Sequence, residues 1–199
     1  MNLGFPHGVG LVLASASPRR SELLASVGLE FDVVPADIDE SVRSGEQPGA
    51  YVARLSAEKA RVVGERLGPG VVVVAADTTV DVDDQILEKP IDDDDARRML
   101  GLLSGRTHLV HTGVTVLRSR GVESEPTART IVVETVVEFA ALTPELVEWY
   151  VATGESWGKA GGYAIQGAGA ALVRRVEGSV TNVIGLPLAE TLDLLRHPR

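Results

Sequence analysis

The chain has 199 residues, a hydrophobic fraction of 44%, no cysteine and a formal net charge of −9. Such a length suits one sizeable domain, or one domain with two lobes, that buries roughly 70% of its surface on folding. The charge argues against broad binding to nucleic-acid backbones, the missing cysteine removes disulfides and thiolate chemistry, and no apolar run approaches the length of a membrane span.

Met1 to Gly10 lacks the charged and apolar regions of a secretory signal. Cytoplasmic residence is therefore the default expectation, with residues 1–10 an irregular extension. A first strand runs through Leu11-Val12-Leu13-Ala14 and stops at Ser15-Ala16-Ser17. Ser17 then stands at a helix N-cap and Pro18 at the first helical position, where a missing N–H costs nothing. Leu23, Leu24 and Val27 give the helix an apolar stripe. Arg19 and Arg20 fall in its first turn, where free N–H groups and the positive dipole end oppose added cations. An anion such as phosphate would satisfy the donors and both guanidinium forks, although two solvated arginines on a surface helix would read the same way.

Phe31 to Val34 reads as a second strand leading to the acidic loop Asp37-Ile38-Asp39-Glu40. Gln47-Pro48 opens a long helix to about Leu67, closed by Gly68-Pro69-Gly70. Lys59 lies in that helix's apolar stripe, four residues after Leu55 and three before Val62, so it must snorkel out or meet a buried anion. Val71 to Ala76 is a central strand ending at Asp77-Thr78-Thr79. A carboxylate at the carboxyl end of such a strand is where open α/β sheets place ligand-contacting groups, and a turn-forming Asp is the plainer alternative.

Val80 and Val82, a turn at Asp83-Asp84 and then Ile86-Leu87 predict a hairpin, followed by Lys89-Pro90. Asp92 caps a helix to about Leu103, and the acidic run behind it complements the dipole without needing a cation. Thr107–Leu117 and Ala128–Phe139 read as a long antiparallel pair joined by a polar loop. His108 and His111 are no metal pair, because residues three apart on a strand face opposite ways. A helix opens at Thr143-Pro144-Glu145, and Ser156 to Gly169 forms a glycine-rich loop. Strands near Leu172–Val176 and Ser179–Val183 precede a last helix, Leu188 to Leu195. No repeat or interdomain linker interrupts this order, which predicts one α/β domain with a mixed sheet.

The glycine-rich loop lacks the Gly-Lys-Ser/Thr ending of a P-loop and the third glycine of a dinucleotide fingerprint. Its glycines allow close backbone approach to a ligand, while the Gln166 amide offers the donor and acceptor needed to read a base edge. Only three of the 19 basic residues are lysines, namely Lys59, Lys89 and Lys159. Joined to Arg19 and Arg20, and set beside the carboxylates of Glu40 and Asp77, they form the parts needed for Mg²⁺-assisted phosphoryl or nucleotidyl chemistry.

The same residues carry a resemblance to the Maf proteins, nucleoside triphosphate pyrophosphatases once named for an effect on septum formation. It spans Leu13 to about Leu192. It rests on Leu13-Ala14-Ser15-Ala16-Ser17-Pro18-Arg19-Arg20 with Glu22-Leu23-Leu24, Ala76-Asp77-Thr78, Lys89-Pro90 and Leu103-Ser104-Gly105. Lys159-Ala160-Gly161, Tyr163-Ala164-Ile165-Gln166-Gly167 and Gly185-Leu186-Pro187 extend it.

The resemblance implies an elongated mixed α/β sheet flanked by helices, with two lobes and a central cleft, similar to the inosine triphosphate pyrophosphatases. It implies hydrolysis between the α- and β-phosphates with Mg²⁺ or Mn²⁺, and a homodimer. Asp77 matches the proton acceptor, while Arg19, Thr78 and Gln166 match positions marking the subgroup that acts on dTTP and UTP. Gly158 stands where many members have Asp, and Ala164 replaces a frequent glycine.

The expected site therefore has Asp77, Lys59 and Lys89 as catalytic residues and Glu40 with Asp77 as metal ligands. Ser15, Arg19, Arg20, Thr78, Lys159 and Gln166 contact substrate. A nucleotide-binding regulator of cell division with incidental turnover is the alternative function, and a structural protein retaining only the fold is a third.

Overall fold

The computed structural model describes residues 10–119 and 126–196. The extension expected over residues 1–10 lies outside these save for Gly10, which opens the first strand, and so does most of the polar loop at 120–125. The elements are β1 (Gly10–Leu13), α1 (Pro18–Ser26), β2 (Asp32–Val33), α2 (Pro48–Leu67), β3 (Val71–Val82), β4 (Gln85–Leu87), α3 (Asp93–Leu103), β5 (Thr107–Ser119), β6 (Thr127–Phe139), α4 (Pro144–Ala152), β7 (Val173–Glu177), α5 (Val180–Ile184) and α6 (Leu188–Arg196). One sheet joins the strands in the order β2-β1-β3-β5-β6-β7, with β4 also on β3. β1 runs parallel to β2 and β3, while the remaining pairs are antiparallel. The fold is thus the mixed α/β sheet with flanking helices that the sequence predicts. No helix among the described residues is long and apolar enough to cross a membrane.

The pairing of β3 creates the cleft. β5 covers one edge of β3 from Val71 to Asp81. The other edge is shared: β1 takes Val71 to Val74, and β4 takes Val80 to Val82. Residues 75–79 are left without a strand partner on that edge, and Asp77 and Thr78 lie at the middle of the gap. Strand β3 therefore does not end at Asp77, as expected; only its pairing with β1 ends there. β-branched and valine-rich sequence on both sides of Asp77-Thr78-Thr79 keeps the backbone extended.

Two cores flank that gap. Val72, Val74 and Ala76 pack with Leu13, Leu24, Leu186 and Leu194, whereas Val80 and Val82 pack with Leu100, Phe139, Tyr150 and Tyr163. The long strands run through both, which gives the molecule its two lobes. Alternation along β3 also splits the site residues. Val73 and Ala75 face Ala60 and Val63 of α2, so Asp77 shares the α2 side, and Thr78 shares the opposite side with Ala76.

Helix α2 lies unusually close to the sheet. Gly113 of β5 is the register partner of Asp77, and a Cβ there would sit 2.2 Å from the Val52 carbonyl oxygen. Gly113→Ala is therefore expected to push α2 off the sheet and cost about 1–3 kcal/mol or more. Thermal denaturation checks this, and an unchanged midpoint would show that the helix can shift freely.

One expected element is different. Ser179–Val183 is read as a strand from its β-branched residues, but Val180–Ile184 is a short helix. Ser179 caps it by accepting from the Asn182 N–H at 3.2 Å. Asn182 is buried and its side chain donates to the Val110 carbonyl and Thr135 Oγ1, both at 3.0 Å. Tertiary hydrogen bonding overrides local propensity there.

Candidate active site

A cleft of about 470 Å³ opens over the bare edge of β3. Arg19, Arg20, Lys59, Lys89 and Lys159 line it, with Glu40 and Asp77. Five cations thus face two carboxylates in a chain whose overall charge is −9. All three lysines are present. The structure also brings Ser15, Thr78 and Gln166 to the same cleft, so every residue expected at the site from sequence reaches it.

Asp77 and Lys59 form the buried centre. Lys59 is 6% exposed and Asp77 8%, and Lys59 Nζ donates to Asp77 Oδ1 at 2.6 Å. The same ammonium is 2.7 Å from Glu40 Oε1, while Lys89 Nζ reaches Glu40 Oε2 at 3.1 Å. Lys59 therefore meets one buried and one half-exposed carboxylate and does not snorkel. Desolvation raises the Glu40 pKa, but hydrogen bonds and charge from Lys59 and Lys89 outweigh it and hold the carboxyl below its ordinary value.

The loop carrying Glu40 is clamped to α2 by residues the sequence reading did not single out. The Tyr51 hydroxyl donates to the Glu40 carbonyl at 2.8 Å. Arg54 grips Glu46 with two bonds, at 2.6 and 2.7 Å, and donates to the Ser41 carbonyl at 3.1 Å. The Arg54 hydrogen bonds draw the Glu46 carboxyl down to about 2. Their spacing gives no motif, since the contacts cross a loop.

Arg19 and Arg20 do occupy the first turn of α1, which has no acidic residue. Ser17 holds the N-cap position, yet its side chain makes no capping bond. The two arginines differ. Arg20 Nε donates to the Gly185 carbonyl at 2.8 Å, Nη1 to Ser15 Oγ at 3.1 Å and Nη2 to Thr78 Oγ1 at 3.1 Å. Thr78 also shares a hydroxyl bond with Thr112 at 2.9 Å. Three of the five guanidinium donors are thus committed to protein, and the fork stiffens the junction of β1, β3 and α5. Burial lowers the Arg20 pKa despite support from Asp77. Arg19 makes no hydrogen bond or ion pair among the described residues, and burial lowers its pKa too.

The glycine-rich loop contains short 3₁₀ turns at Ala160–Gly162 and Gly167–Leu172. Glu155 straps it down: its two carboxylate oxygens accept from the Ala168 and Gly169 N–H groups at 2.9 and 3.1 Å. The Ala164 N–H donates to the Tyr150 hydroxyl at 3.0 Å. Gly169 is required for closeness, because a Cβ would lie 1.9 Å from the Ala164 carbonyl oxygen. Gln166, between these anchors, stays exposed at the cleft. Lys159 Nζ donates to the Glu155 carbonyl, and desolvation followed by Arg19 lowers its pKa.

His108 and His111 face different partners. His108 Nε2 bonds the Tyr163 hydroxyl at 2.8 Å inside the core, and burial lowers its pKa to about 4. His111 Nε2 lies 3.3 Å from Asp81 Oδ2. Among the described residues no three His, Cys, Asp or Glu side chains gather around a possible metal position. Glu40 and Asp77 nevertheless flank the Lys59 ammonium at the cleft, close enough together to share a cation. Two hard carboxylates fit Mg²⁺ or Mn²⁺, since such ions take one or two carboxylates and complete their shell with water and phosphate.

The family model for Maf-like proteins matches residues 10–198. A dTTP/UTP pyrophosphatase of Anaeromyxobacter dehalogenans (strain 2CP-C) is 56% identical over 190 residues, covering 94% of this chain and 93% of that protein. A dTTP/UTP pyrophosphatase of Myxococcus xanthus (strain DK1622) is 54% identical over 187 residues, covering 94% and 91%. Among solved structures, the Staphylococcus aureus Ham1 protein shares 15% identity over 66% of this chain and 72% of its own, with a TM-score of 0.42, too loose a likeness to bear on the site. Full-length agreement at more than half of all positions leaves one assignment, and the chain belongs to the Maf family.

Proposed function

We propose that the protein is a nucleoside triphosphate pyrophosphatase acting on dTTP and UTP. The observation that carries this is the Asp77–Lys59–Glu40 cluster at the bare edge of β3, ringed by the remaining cations of the cleft. The names of the curated relatives support the substrate choice.

Arg19, Lys89 and Lys159 bind the triphosphate oxygens, being the cations least committed to protein side chains. Arg20 holds Ser15 and Thr78 in place and presents its remaining donors to the same anion. Lys59, expected among the catalytic residues, has its ammonium taken up by Asp77 and Glu40. Its role is to hold Asp77 aimed. Asp77 accepts the proton of a water whose oxygen attacks the α-phosphorus. The bond from that phosphorus to the α–β bridging oxygen breaks, and pyrophosphate leaves with the bonding pair. A divalent cation held by Glu40 and Asp77 would neutralise phosphate charge. Gln166 meets the base edge, and the enzyme works in the cytoplasm, where nucleoside triphosphates are made and consumed.

A panel of nucleoside triphosphates with Mg²⁺, scored for pyrophosphate against orthophosphate, tests the reading. Pyrophosphate and monophosphate should appear together, with dTTP and UTP preferred over GTP. Orthophosphate as the first product would overturn the reaction. Binding without turnover would instead favour the regulator of cell division.

A further inference from the structure

A nucleotide offers a flat π-face as well as charge, and none of the polar contacts above receives it. Two aromatic side chains line the cleft, Tyr163 and Trp157. Tyr163 is occupied: it is 5% exposed, its hydroxyl bonds His108, and its ring packs edge-on against Phe139 with centroids 4.7 Å apart.

Trp157 is the opposite case. It is 47% exposed and is among the residues that line the cleft. Its backbone makes two long contacts, from its N–H to the Gly154 carbonyl at 3.5 Å and from Lys159 Nζ to its carbonyl at 3.4 Å. Trp157 belongs to the strap that Glu155 pins, the one that carries Gln166 at its other end. One segment therefore brings an aromatic ring, a cation and an amide to the lining of the same cleft. A solvent-facing indole beside a polar cleft gains little until something flat covers it.

We infer that Trp157 is the stacking platform for the pyrimidine of the substrate, with Gln166 at the edge of the same ring. The inference rests on the nucleotide reading above. Stacking on an aromatic side chain contributes a five- to hundred-fold change in binding, roughly, when the ring is removed.

The chain's two tryptophans allow a direct test. Trp149 is equally exposed but sits on α4 away from the cleft lining, so Trp149→Phe isolates the Trp157 signal. Emission of that variant should be quenched by thymidine monophosphate and left unchanged by inorganic tripolyphosphate. In kinetics, Trp157→Ala should raise the KM for dTTP about five- to hundred-fold, keep inhibition by tripolyphosphate within about two-fold, and be largely rescued by Trp157→Phe. Emission that responds to tripolyphosphate as much as to the monophosphate, or an unchanged KM in Trp157→Ala, would overturn the stacking role. Failure of the nucleotide reading itself would look different, since the unaltered protein would then release no pyrophosphate from any nucleotide.

Discussion

Asp77→Asn is expected to remove pyrophosphate release while leaving nucleotide binding nearly intact. The substitution is close to isosteric, and the Asn carbonyl oxygen can still accept the Lys59 bond now made at 2.6 Å. What disappears is the ability to take a proton from water. General-base catalysis contributes about 10²- to 10⁴-fold, so kcat should fall by that order. The variant keeps Glu40 beside Lys59 at 2.7 Å, so the ammonium is not stranded and the fold should survive. Steady-state pyrophosphate release, with nucleotide affinity measured by calorimetry, separates the two effects. Turnover within a few-fold of the unaltered protein would remove Asp77 from its role, and lost affinity with unchanged kcat would make it a binding residue.

That expectation needed the structure for its geometry, although the residue itself was legible beforehand. Asp77 stood out because a run of valines and alanines halts at a carboxylate. The sequence could not show that the strand continues to Val82, because the gap arises from β1 and β4 sharing an edge, which is a tertiary fact. Arg19 and Arg20 are legible as misplaced charges in a first helical turn, and that is where they lie. That Arg20 is committed to protein partners was not visible. Partners such as Gly185 and Thr78 lie 165 and 58 residues away from Arg20, and no local pattern encodes that. Lys59 in an apolar stripe was likewise readable as a snorkelling or buried cation, and the two carboxylates decide it. Glu155, Tyr51 and Arg54 were missed for the same reason as α5. Each acts through backbone groups across a loop, where spacing carries no signal.

Lys59→Met should destabilise the protein strongly, and Mg²⁺ should restore part of the loss. Methionine keeps the aliphatic stem among Leu55 and Val63 of α2 but removes the charge between Asp77 and Glu40. Breaking a buried pair by deleting one partner costs about 3–5 kcal/mol, because the other charge is left uncompensated. Here Glu40 is 39% exposed at its side chain, so water and Lys89 relieve part of that, and the lower end applies. For a chain of this length each kcal/mol moves the melting midpoint by about 2–4 °C, giving a fall of roughly 6–12 °C. The two carboxylates, now repelling each other across the vacated point, should take up a divalent cation more readily than in the unaltered protein. Stabilisation by a ligand grows with the logarithm of its concentration over its dissociation constant. The midpoint of Lys59→Met should therefore climb more steeply with Mg²⁺ than that of the unaltered chain. Parallel dependence on Mg²⁺ in both proteins would show that Glu40 and Asp77 do not share the ion, and a midpoint unmoved by the substitution would show that Lys59 is not what holds the carboxylates together.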